Sequence, residues 1–130
     1  MKSVSYDEVQ WARRQYHNER IYWNFSFFVK VSMGVCAGFA YLAANEVKGN
    51  SLLIAEVIKL GSYLELMVGA LCALNIASHY FAKNRIVPGN HPPFYKRVWR
   101  SSDLYMFVSS LVGAIIIWQY GLQSLSILVP

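Results

Sequence analysis

Among the side chains able to carry charge or strong hydrogen bonds that interrupt otherwise apolar runs of the sequence are Lys30, Glu65, Asn75, Ser109, Ser110 and Gln119. In hydrocarbon such groups cost free energy unless they face protein or water, so they mark helix contacts, solute paths or proton relays. At 1.5 Å of rise per residue, Lys30 lies roughly 12 Å inside its run, Asn75 roughly 10 Å and Ser109 or Ser110 roughly 8 to 9 Å, counted from the same side. One polar layer is expected there. Glu65 and Gln119 fall near 22 to 24 Å by the same rule, a second layer, and the offset of about 12 Å from Lys30 argues against a direct Lys30–Glu65 ion pair. Lys30 itself reads in two ways. It is an anchor whose four-carbon stem snorkels to the headgroups, or it is the cation of a helix contact or cavity.

Other chemistries find little to work with. The histidines, His17, His79 and His91, include no pair spaced i, i+3 or i, i+4 on one helix face, so no metal or haem site, and no other cofactor, is expected. Cys36 and Cys72 sit in the middle of apolar runs and read as small hydrophobes. No nucleophile–base–acid motif and no glycine-rich phosphate loop occurs, and the chain is not expected to be an enzyme. A proton or cation path would use several acids at graded depth, whereas only Glu65 is well inside and Glu56 falls at the outer surface.

The elements that must position these residues are three apolar segments, 22–44, 52–82 and 104–128, in a 130-residue chain that is 55% hydrophobic and 15% charged. Each supplies the ~20 apolar residues needed to cross a core of about 30 Å. The expected fold is an all-α integral membrane protein with three transmembrane helices. The second segment exceeds one crossing, since a helix over 51–83 would be roughly 50 Å long; it must tilt, or break near Gly61. Ahead of the first span, Ser5-Tyr6-Asp7-Glu8 fits a capping box and opens an amphipathic helix over 6–20, lying along the headgroups or extending the span. Its acids and arginines leave no room for a cleavable signal, so the first span is expected to direct insertion. The 83–102 loop carries Pro88, Pro92 and Pro93, which exclude a helix through its centre.

Charge sets the expected orientation. Of the twelve Lys and Arg, only Lys48 and Lys59 fall around the first connection, where Glu46 and Glu56 offset them; the other ten precede or enter the first span or lie between the second and third. The positive-inside bias places the N-terminus and the 83–100 loop in the cytoplasm and the C-terminus outside, in a multi-pass protein of a bacterial inner membrane. In that loop Phe94, Tyr95 and Trp99 interleave with Lys83, Arg85, Lys96, Arg97 and Arg100, a pattern suited to anionic headgroups or a protein partner. Nucleic acid is not an expected partner this close to a bilayer. Small residues recur at four-residue spacing: Gly34 with Gly38, Gly69 with Ala73 and Ala77, Ser109 with Gly113. Such ridges bring helices close where no hydrophobic force acts between them. The expected function is a non-enzymatic membrane subunit that self-associates or docks with other membrane subunits in a larger assembly. An oligomeric pore-former or membrane-disrupting effector is the alternative, with a small transporter behind it.

Overall fold

A computed structural model of the chain describes residues 6–44, 51–85 and 102–128, and all of them are helical. Helix α1 is Tyr6–Ala44, α2 is Ser51–Arg85 and α3 is Ser102–Leu128. All three are long and apolar enough to cross a membrane, and the chain is accordingly a multi-pass membrane protein. Ser5 of the expected capping box, residues 45–50 and residues 86–101, with Phe94, Tyr95, Lys96, Arg97, Trp99 and Arg100, lie outside the described residues.

Residues 6–20, expected either to lie along the headgroups or to extend the first span, are continuous with it, because α1 is one uninterrupted helix of 39 residues. No glycine or proline occurs between Tyr6 and Met33, so nothing at the join removes a backbone hydrogen bond or lowers helix propensity. At about 58 Å, α1 is nearly twice the thickness of a hydrocarbon core. Helix α2 likewise passes through Gly61 without a break. That glycine is a recess rather than a hinge: a Cβ there would come within 3.0 Å of the Phe39 ring.

The helices pack up, down, up, with α2 between its neighbours; its largest interface is with α3, and α1 touches α3 least. As α1 is followed from Asn18 through Asn24 and Ser32 to Phe39, its partners on α2 run backwards, from Lys83 through Asn75 and Glu65 to Gly61. Two apolar clusters fill the seam, Ile21–Ile76–Met106 flanked by Phe25, Tyr80 and Phe107, and Phe28–Cys72–Ala114 flanked by Val68.

Two glycines set how closely α2 and α3 approach. A Cβ on Gly69 would overlap the Ala114 methyl and lie 3.1 Å from the Ser110 carbonyl, and one on Gly121 would overlap the Ser62 hydroxyl. Gly113 seats the end of the Phe28 ring, 3.2 Å from where its Cβ would be. The ridge expected on the first span behaves differently, since none of the described residues comes within 4 Å of a Cβ placed on Gly34 or Gly38. Only 6% of the most apolar stretch of α1 is buried, against 33% for α2 and 22% for α3. The bundle leaves most of α1 uncovered.

Overpacking a close contact costs about 1–3 kcal/mol, and a larger side chain in open space costs little. Gly69→Leu and Gly121→Leu should therefore each lower stability by about 2 kcal/mol or more, while Gly34→Ala and Gly38→Ala should leave it unchanged or raise it by up to about 1 kcal/mol through helix propensity. Reversible unfolding in bicelles measures both pairs.

Candidate functional site

The polar side chains inside the bundle come first from local sequence. Ser32, Ser62 and Ser110 each donate their hydroxyl to the carbonyl one turn back, on Phe28, Ile58 and Met106, at 2.9, 2.7 and 2.8 Å. This satisfies a serine in a helix with no partner from another helix. Glu65 has no such local solution. It is fully buried on the inward face of α2, where its Oε1 meets the Ser32 hydroxyl of α1 and its Oε2 has no partner among the described residues. Ser32 has one hydroxyl hydrogen and faces two acceptors, the Phe28 carbonyl and the carboxyl, so both contacts are satisfied together when Glu65 carries a proton. What this position offers chemically is a single protonatable carboxyl enclosed by helices.

A denser polar junction ties the three helices together where the C-terminal end of α2 meets the start of α3. Lys83 reaches inward, donates to Asp103 on α3 and to Asn18 Oδ1 on α1 at 2.9 Å, and lies over the Tyr80 ring. Both members of the ion pair are largely withdrawn from solvent, 12% and 5% exposed. One turn deeper His17 Nδ1 and His79 Nδ1 are 2.9 Å apart, one ring donating to the other, with the Tyr16 ring edge-on to both. Further in, Asn75 donates to Asn24 Oδ1 over 3.4 Å. A search for histidine pairs along a single helix could not find His17–His79, because the pair forms only through the antiparallel register of α1 and α2. Among the described residues, no group of three or more His, Cys, Asp or Glu side chains is arranged to hold a metal ion.

The expected polar layers are not assembled. Ser110 and Glu65 are inside, Ser109 and Gln119 are exposed on α3, and Asn75 sits at the surface with its amide turned to Asn24. Asn24 is six residues before Lys30, so Asn75 lies about 9 Å from the level of Lys30 along α1. Lys30 itself is exposed. Ile21 and Phe39 stand nine residues to either side of it, and at ~100° per residue both point to the opposite side of the helix. On the outer side Trp23, Phe27, Lys30, Gly34, Ala37, Gly38 and Tyr41 share one exposed face, with Trp23 and Phe27 stacked at 5.6 Å. Lys30 has no hydrogen bond or ion pair among the described residues. Of the other expected packing positions, Ala73 is buried and Ala77 half-buried on α2. Of the basic residues assigned to a partner or lipid face, Lys83 is turned into the bundle and Arg85 is exposed.

No protein-family model matches the chain, and comparison with curated proteins and with solved structures found no match.

Removing one partner of a buried ion pair costs about 3–5 kcal/mol, because a charge is left unpaired, whereas replacing both by apolar residues can be neutral. Asp103→Ala should therefore lower stability by about 3 kcal/mol, and Lys83→Met with Asp103→Leu should recover most of that loss in the same bicelle unfolding assay.

Proposed function

We propose that this protein is a non-enzymatic, three-span subunit of a larger assembly in a bacterial inner membrane, with its N-terminus and the 83–100 segment in the cytoplasm and its C-terminus outside. The observation that carries this reading is the uncovered face of α1. A lysine near the centre of a bilayer costs about 3 kcal/mol on insertion scales, and Lys30, inside the span expected over 22–44, is exposed beside two glycines whose open side no described residue fills. A helix that shows a cation and a small-residue ridge on its outer side is suited to a neighbour that covers both. The orientation rests on the distribution of basic residues. Arg13, Arg14, Arg20 and Arg85 are exposed at the cytoplasmic side in that orientation, where anionic headgroups would attract each of them.

The exposed polar side chains favour assembly over a pore. Lys30, Ser109 and Gln119 are spread over α1 and α3, and on α3 the last two, ten residues apart, differ by about 80° around the helix. A ring of copies turning Lys30 towards a shared axis would leave the outward groups of α3 elsewhere.

Mass measurement of the protein extracted directly into native-membrane nanodiscs tests the reading. The expected particle contains more than one polypeptide, and a lone monomer would overturn it. Vesicles reconstituted with the purified chain should retain small dyes and ions; release would transfer support to the pore-forming alternative.

A further inference from the structure

The outward face of α1 also carries information about what covers it. With the exposed rings of Tyr22 and Trp23 taken as the headgroup level, where such amphipathic aromatics are enriched, Lys30 lies eight residues, about 12 Å, inside a core about 30 Å thick. Helical side chains lean towards the N-terminus, and the lysine stem extends about 6 Å. Fully snorkelled towards Tyr22, the ammonium still stops about 6 Å short of that level. The path runs along the Trp23–Phe27 stack, which is apolar and exposed. Lipid alone leaves the charge poorly accommodated.

A second copy of the chain is a poor occupant. Two copies inserted in the same orientation and crossing at Gly34 and Gly38 would bring both Lys30 ammoniums within a turn of the crossing, like charge against like in a medium that screens little. The described acids offer no remedy. Glu65 is enclosed in its own bundle, and exposed Glu56 pairs with Lys59 at the far end of α2, five residues beyond the level of Phe39. Charge complementarity calls for a carboxylate from another chain, and close approach at Gly34 and Gly38 calls for a helix.

We propose that the face of α1 formed by Trp23, Phe27, Lys30, Gly34, Gly38 and Tyr41 docks a transmembrane helix of a different protein, one that carries an Asp or Glu at the depth of Lys30 and small residues against the two glycines. The inference rests on the assembly reading and names the chemistry of the partner. The glycines set the distance between the helices. The Lys30–carboxylate pair sets depth and selects the partner, because a buried ion pair broken on one side is strongly unfavourable.

The test uses the full chain in phosphatidylcholine vesicles and three synthetic transmembrane helices as probes. All have a Leu/Ala background with a central Gly-xxx-Gly, and carry Glu, Gln or Leu at one position a turn from the glycines. Energy transfer between labelled protein and labelled helix should show the Glu helix binding about tenfold tighter than the Leu helix, with Gln between them. Lys30→Leu should abolish that preference, and Gly34→Ile with Gly38→Ile should weaken all three helices without unfolding the chain, since both positions are open. Equal binding of the Glu and Leu helices, or a preference that survives Lys30→Leu, would overturn the proposal and leave Lys30 a lipid anchor. Energy transfer between copies of the chain that Gly34→Ile removes would overturn it in favour of self-association. A chain that is monomeric in native nanodiscs yet selects the Glu helix in a Lys30-dependent way would retain this face and discard the assembly reading, so the two fail separately.

Discussion

Apolar side chains gain nothing by leaving lipid tails for one another, so a bundle in hydrocarbon depends on how closely its backbones can approach. Here that constraint falls on Gly69 and Gly121 of α2 and α3, each placed where a single added carbon would strike the facing helix. The positions of the remaining contacts follow. Phe28 can reach across to Gly113 and Cys72 because α2 and α3 are drawn together behind it. Ser62 and Ser110 need no partner of their own, since each donates to its own helix and leaves the contact free of unpaired hydrogens. Helix α1 joins this pair with a few large side chains, Ile21, Phe28 and Phe39, and with the hydrogen bonds of Asn18, Asn24 and Ser32.

Polar contacts determine register where apolar packing is weak. The Lys83–Asp103 pair, with Asn18 as a third member, fixes the level of all three helices at one end. Glu65 against Ser32 repeats the pinning roughly 27 Å further along α2. A slip of α1 by one turn would separate Asn18 from Lys83 and Ser32 from Glu65 at once, leaving the Lys83–Asp103 pair intact but the Glu65 carboxyl without its partner in a medium with no water to receive it. Such groups are weak sources of net stability but strong sources of specificity, because every alternative register is worse.

Much of the architecture was legible in the residues. Three apolar segments of sufficient length predicted three helices, and they are there, with the glycine at 69 and its neighbour Ala73 packed inward. The parts that were not legible are those decided between helices. Depth counted along each segment assumed that all three enter the membrane at the same point. Because α1 continues unbroken from Tyr6, its level relative to α2 is set by Asn18, Asn24 and Ser32, and the supposed layer of Lys30, Asn75 and Ser109 or Ser110 dissolves. Three small-residue ridges looked alike in sequence. Only the structure separates Gly69, held against Ala114, from Gly34 and Gly38, which none of the described residues approaches. The His17–His79 pair left no sequence signal, since its members are 62 residues apart.

The account turns on the surroundings of the outer face of α1: hydrocarbon when the chain is alone, and another helix when it is assembled. Spin labels at positions 30 and 37, in a chain with Cys36 and Cys72 replaced by alanine, report this through their relaxation by oxygen, which dissolves in lipid, and by a nickel chelate, which stays in water. Both labels on the isolated protein in a bilayer should be reached by oxygen and not by nickel. Nickel access would mean that the face lines water, and exclusion of both reagents would mean that the bundle already covers it. Either result would contradict the account.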